Sequence, residues 1–133
     1  MSKKNTSHER NHQKSHMILV VDDDANMLEM LSMALKEYSV TTSSPHDAVR
    51  IMAEGNITLL ITDYAMPELD GLRIAKLAKN LYNIPSIIMT GHSEKVDFLK
   101  TRVDKVIEKP FTIKELKSLI IKTLDKQYEY ENK

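Results

Sequence analysis

The chain has 133 residues, with 19 Lys+Arg against 19 Asp+Glu, three Gly, four Pro and neither Cys nor Trp; that length suits one domain, since domains cluster at roughly 100–150 residues. Zero formal net charge argues against a generic nucleic-acid or anionic-membrane binder, which needs a basic excess, and the lack of Cys excludes disulfides, thiol catalysis and Cys-ligated metal sites. Apolar runs of four or five residues are too short to span a bilayer and the polar N-terminus has no signal-peptide core, so the expectation is a soluble, cytoplasmic protein.

Residues 1–16 carry Lys3, Lys4, Arg10 and Lys14 against Glu9, a net charge of +3, with no large apolar side chain after Met1. Such a stretch buries too little to offset its ordering entropy and reads as a disordered polar extension. His8, His12 and His16 would share a face if helical, but a solvated tail explains them better than a metal site. Residues 17–133 hold 15 basic and 18 acidic side chains, net −3, and do the folding.

The apolar run 17–21, stopped by Asp22, Asp23 and Asp24, predicts a strand buried on both faces. Met27, Leu28, Leu31, Ala34 and Leu35 then recur at helical spacing, with Asp23 or Asp24 as cap. A short strand over 38–42 precedes Ser44-Pro45-His46-Asp47, a helix-start signature, and that helix ends at Gly55 as its C-cap. Residues 58–62 predict a third strand ending at Asp63. After Asp70-Gly71, a cap or turn pair, Leu72, Ala75, Leu77 and Ala78 mark a third helix. Residues 86–90 predict a fourth strand, 91–102 a polar stretch with a short helix, and 105–108 a fifth strand. Thr112-Ile113-Lys114-Glu115 is a capping box opening a last helix that buries Ile113, Leu116, Leu119, Ile120 and Leu124. Met27, Met30, Met33 and Met52 read as helix packing.

Strands alternating with helices imply repeated βαβ units. The expected fold is α/β, a doubly wound, five-stranded parallel sheet with helices on both faces, and ligands are expected at the carboxyl ends of the strands. Those ends carry Asp22, Asp23 and Asp24, Asp63, Thr90 and Lys109, so carboxylates, a hydroxyl and an ammonium converge on one rim. Each has an ordinary explanation alone: an Asp can cap a helix, Asp63 can open a turn before Met66-Pro67, and Thr90-Gly91 or Lys109-Pro110 can be plain loop. But one acid suffices for a cap, which leaves part of the Asp22–Asp24 run unexplained. The coincidence on matching strand ends favours a site.

VVDDD at 20–24, ITDYAMPELDG at 61–71, IIMTGH at 87–92 and IEKPF at 107–111 resemble the receiver domain of bacterial two-component response regulators, whose simplest members are single-domain, chemotaxis-regulator-like proteins. The resemblance covers residues 17–127, between the extension 1–16 and a tail 128–133. It implies the flavodoxin-like strand order 2-1-3-4-5 and a phosphoryl transfer from a sensor histidine kinase to Asp63 with a divalent cation, Mg²⁺. By the same resemblance Asp23 and Asp63 bind the cation, Asp22 does so directly or through water, and the Ala65 backbone carbonyl completes the protein ligands. Lys109 holds a phosphoryl oxygen, Thr90 donates its hydroxyl to another, and Ala65 and His92 flank the phosphate. This division of labour suits phosphoryl transfer, which depends chiefly on positioning and charge stabilisation.

Two other readings compete. An Asp-dependent phosphohydrolase needs a second acid two residues after its nucleophile, where this chain has Ala65. A receiver-fold binding module that takes no phosphate would be expected to lack part of the set Asp22, Asp23, Asp63, Thr90 and Lys109, which is complete. Doubly wound nucleotide binders need glycine-rich loops that three Gly cannot supply. No segment long enough for a DNA-binding module follows the last helix, so no nucleic acid is expected through this chain. The expected partners are a histidine kinase or a histidine phosphotransfer protein, and a downstream protein.

Three features depart from the family pattern. Val106 stands where receivers commonly carry Tyr or Phe, three residues before Lys109. Lys109 follows Thr90 by only 19 positions, and Arg102-Val103-Asp104 replaces the customary Gly-Ala before strand five. A short or displaced fourth helix and an atypical output switch are therefore expected.

Overall fold

The structure, a computed structural model, describes residues 16–131 and side chains through Asp125. Most of the expected extension, with His8 and His12, lies outside the described residues. His16 belongs with the fold: its carbonyl accepts the Ser39 N–H at 3.3 Å and its Nδ1 lies 3.1 Å from Thr58 Oγ1.

The elements run β1 (Met17–Val21), α1 (Ala25–Ala34), β2 (Ser39–Ser43), α2 (Pro45–Glu54), β3 (Ile57–Asp63), α3 (Gly71–Tyr82), β4 (Ser86–Thr90), α4 (Val96–Lys100), β5 (Lys105–Glu108) and α5 (Ile113–Glu131). All strand pairs are parallel, and the spatial order is β2-β1-β3-β4-β5, the flavodoxin-like arrangement expected. Side chains alternate across the sheet. Ile18, Val20, Leu59, Ile61, Ile87 and Met89 point to the layer of α1 and α5, with Leu31, Leu35, Leu116 and Ile120. Leu19, Val21, Leu60 and Ile88 point to the layer of α2, α3 and α4, with Met52, Ile74, Ala78 and Leu99. Two cores, one on each face, explain why the central strands β1, β3 and β4 read as mainly apolar runs, whereas the edge strands β2 and β5 mix polar and apolar residues.

Several element ends have a visible local cause. Asp24, not Asp23, caps α1, accepting the Asn26 N–H at 3.0 Å. Gly55 ends α2 at φ 96°, and Asn83 ends α3 at φ 54° in the left-handed helical conformation, positive φ values that Gly and Asn tolerate best. The capping box forms in full: Glu115 N–H donates to Thr112 Oγ1 at 3.1 Å and Thr112 N–H to Glu115 Oε1 at 3.0 Å.

Some expectations shift. β2 begins one residue later than predicted because Tyr38 is buried and its N–H closes the turn after α1 on the Leu35 carbonyl at 2.9 Å. β3 extends to include Asp63, which pairs with Met89. Ser44 precedes α2 without a side-chain cap bond, so Pro45 carries that start. In α3, Ile74 is the fully buried large residue, whereas Leu72 and Leu77 are half-buried. α5 continues through Glu131, so residues 128–131 are helical. As expected, the stretch after β4 holds only a 3₁₀ turn, Ser93–Lys95, and the five-residue α4. Among the described residues no helix is long and apolar enough to cross a membrane.

Candidate functional site

The parallel sheet brings the ends of β1, β3, β4 and β5 to one edge, where the residues singled out in the sequence lie. Asp22 follows β1 and is 2% exposed. Its N–H donates to the Ser43 carbonyl at 3.3 Å, and its Oδ1 accepts the Asp24 N–H at 3.0 Å. Its other oxygen, Oδ2, is buried and has no hydrogen-bond partner among the described residues. Burial pushes the Asp22 carboxyl up to about 6, helped by the neighbouring Asp63 and Asp23 carboxylates and opposed by the Asp24 amide and the Lys109 charge. Asp23 is exposed. With α1 already capped by Asp24, neither Asp22 nor Asp23 is needed for capping, and oxygens of Asp22, Asp23 and Asp63 all lie within 4.8 Å of one another.

Asp63 closes β3 between two buried strands and is itself buried. Lys109, just past β5, donates from Nζ to Asp63 Oδ1 at 2.7 Å. This pair is mostly shielded, so its attraction is less weakened by solvent than that of a surface ion pair. Thr90 ends β4 and is buried; its Oγ1 accepts the His92 N–H at 3.0 Å and its carbonyl accepts the Lys109 N–H at 2.7 Å. Ala65 sits on the exposed loop two residues beyond Asp63. The side chains on either side of the rim also meet, since the Tyr64 and His92 rings stand edge to face with centroids 6.2 Å apart.

Three carboxylates with a partnerless buried oxygen among them are a donor set of the kind hard divalent cations take, because such ions bind oxygen ligands and relieve like-charge repulsion. A buried nucleophilic carboxylate beside a fixed ammonium can attack a phosphorus centre while the ammonium takes up charge on the transferred oxygens. The sequence had not marked Gly71, which reads there as half of a turn pair. In the fold it opens α3 against the backbone of Asp63 and donates its N–H to the Tyr64 carbonyl at 2.8 Å. The available signal was a residue of low helix propensity at a helix start.

Comparison with known proteins points the same way. The family profile described as response regulator receiver domain matches residues 18–121. A probable transcriptional regulator, ycf27, of Cyanidium caldarium is 32% identical over 117 residues, covering 84% of this chain and 47% of that protein; the chain spans about half the length of such curated relatives. Among solved structures, a receiver domain protein from Clostridium thermocellum superposes with a TM-score of 0.79 at 27% identity, covering 86% of this chain and 98% of that one. The response regulator TrrA from Thermotoga maritima, solved in complex with Mg(2+)-BeF, is 32% identical with a TM-score of 0.72, covering 80% and 97%. TrrA has also been solved in complex with the histidine kinase ThkA, with a TM-score of 0.71. With profile, fold order and strand-end residues in agreement, the chain belongs to the response regulator receiver domain family.

Proposed function

We propose that this chain accepts a phosphoryl group on Asp63 from the phosphohistidine of a sensor histidine kinase or a histidine phosphotransfer protein, and signals by altered binding to a downstream protein. One observation carries the reading: the buried Asp63 carboxylate, held at 2.7 Å by Lys109, lies in a cluster with Asp22 and Asp23. TrrA's complexes with a kinase and with Mg(2+)-BeF support it by similarity.

The partnerless Asp22 Oδ2 and the all-oxygen donor set fit Mg²⁺. Asp22, Asp23, Asp63 and the Ala65 carbonyl would hold it. When bound, it supplies positive charge that keeps the carboxylates ionised and offsets charge on the phosphoryl group. Asp63 attacks phosphorus in line through a carboxylate oxygen. A P–O bond forms, the P–N bond to the donor imidazole breaks, and the electron pair leaves with the imidazole. Lys109 neutralises an equatorial oxygen, and Thr90, whose hydroxyl accepts from His92, keeps its own proton to donate to another. In this reading the chain assists its own phosphorylation and dephosphorylation rather than turning over a substrate. Ala65 supplies no second acid of the sort an Asp-dependent phosphohydrolase uses.

Output follows from the β4–β5 side. Val106 is half-buried beside the core that holds Leu99, and a small aliphatic side chain has no ring to rotate. The signal would therefore pass through movement of the short α4 segment. Incubation with Mg²⁺ and a small phosphodonor, read by intact mass, tests the assignment. Wild type gains one phosphoryl group and Asp63→Asn gains none; equal gain by both would sink the assignment. No gain by either would favour a non-phosphorylated binding module.

A further inference from the structure

Glycine at a helix start is usually explained by backbone freedom, and that explanation fails at Gly71. Gly55 has a positive φ of 96°, whereas Gly71 has none, so an L residue could adopt its backbone conformation. Space is what excludes one. A Cβ at Gly71 would lie 2.0 Å from the Asp63 carbonyl oxygen, 2.9 Å from its carbon and 3.1 Å from Tyr64 Cα. All three are backbone atoms, which cannot swing aside as the end of a side chain could. A Cβ at Gly91 would meet nothing within 4 Å among the described residues.

The backbone that Gly71 touches is fixed from other directions too. The Thr62 hydroxyl donates to the same Asp63 carbonyl at 3.0 Å, the Tyr64 N–H donates to the Met89 carbonyl at 2.8 Å, and the Gly71 N–H donates to the Tyr64 carbonyl at 2.8 Å. α3 is thereby docked by its first residue onto the peptide that follows the Asp63 carboxylate and leads into Ala65. We infer that Gly71 is a positioning residue. The bare α-carbon of the first turn of α3 sets the depth of the Asp63–Tyr64 peptide, and with it the spacing of Asp63 from Asp22 and Asp23. A methyl group there must drive the carbonyl back by at least about 1 Å to reach 3.0 Å, a misplacement that can cost on the order of a hundredfold in a site that depends on near-attack geometry. The inference rests on the reading of Asp63 as a cation-binding phosphoacceptor.

Calorimetric titration of the full chain with Mg²⁺, together with thermal melting and phosphodonor labelling, tests it on wild type, Gly71→Ala and Asp70→Ala. Asp70 caps the same turn by accepting the Arg73 N–H at 2.9 Å, so its removal loosens the helix start without adding an atom at the carbonyl. Gly71→Ala should weaken Mg²⁺ binding by about tenfold or more and slow labelling, while Asp70→Ala lowers the melting temperature but holds Mg²⁺ affinity within about twofold. Wild-type affinity in Gly71→Ala, or equal weakening in both variants, would overturn the inference. If Gly71→Ala does not fold, Thr62→Val replaces it, removing the hydroxyl from the same carbonyl at nearly constant volume. A loss of about threefold in affinity is then expected, and no loss would overturn the inference. Failure of the wild type itself to bind Mg²⁺ or take label is a different result: it strikes the phosphoacceptor reading, and the inference falls with it.

Discussion

Between Asp63 and Gly71 the chain is held at its two ends by strand pairing, two backbone hydrogen bonds and a contact that leaves no room for a methyl group. Between Ser93 and Asp104 it is held very differently. Leu99 is the one buried side chain of that stretch, and Phe98, 41% exposed, lies on the surface with the Arg102 guanidinium 3.8 Å from its ring centroid and Lys95 Nζ at 5.5 Å. Arg102 also donates to the Phe98 carbonyl and the Thr101 hydroxyl. The first junction resists displacement; the second has few buried contacts to lose, as expected of segments that open at low free-energy cost. In the proposed function the first would seat the reacting group and the second would be free to change its surface.

That contrast can be broken from either side. The largest effect belongs to Asp63→Asn, expected to abolish phosphoryl labelling. Next comes Leu99→Ala, which should cost about 2–4 kcal/mol and show faster amide exchange across 96–104 than in β3; equal loosening of both would erase the distinction between the two regions.

Asp22 gives a pH test. Its carboxyl sits at about 6 when folded against an ordinary 3.8, so the cation-free fold holds this proton more tightly than the unfolded chain does. Its contribution therefore favours folding below about pH 4, is lost as pH rises towards 6, and changes little above that. Asp22→Asn should raise cation-free stability at pH 8 by about 1–3 kcal/mol while removing most of the stabilisation by Mg²⁺. Chemical denaturation at pH 4 and pH 8, with and without Mg²⁺, checks both halves; a destabilised variant at pH 8 would contradict the burial argument. The smallest effect is expected for Arg102→Ala, which removes exposed contacts worth less than about 1 kcal/mol and should leave Mg²⁺ affinity unchanged.

The sequence exposed some of these features and hid others for physical reasons. Strand ends were legible because apolar runs stop abruptly at Asp22 and Thr90, and one residue before Asp63 and Lys109. The capping box was legible because Thr112 and Glu115 are local partners. Which Asp caps α1 was not, since Asp23 and Asp24 differ only by a register that the fold decides. The partnerless oxygen of Asp22 depends on burial by distant strands. Gly71 was opaque for the same reason: its neighbour is eight positions back, and only the turn of β3 into α3 brings them face to face. Helical spacing marks the stripe of Leu72 and Leu77 but not that Ile74 sits deepest.

Thr90 carries one more consequence. Its hydroxyl is yoked to the main chain of His92, and its carbonyl to that of Lys109. The two side chains assigned to grip a phosphoryl group therefore share a hinge pin, and the loop leading to α4 is fastened to the same pin. Under the proposed function, a displacement of the Thr90 hydroxyl would be felt at the His92 main chain, and one of its carbonyl at the Lys109 main chain. If Asp63 accepts a phosphoryl group as proposed, the arrangement would work as a rocker, with the rim of carboxylates under one arm and the loosely held segment 93–104 under the other.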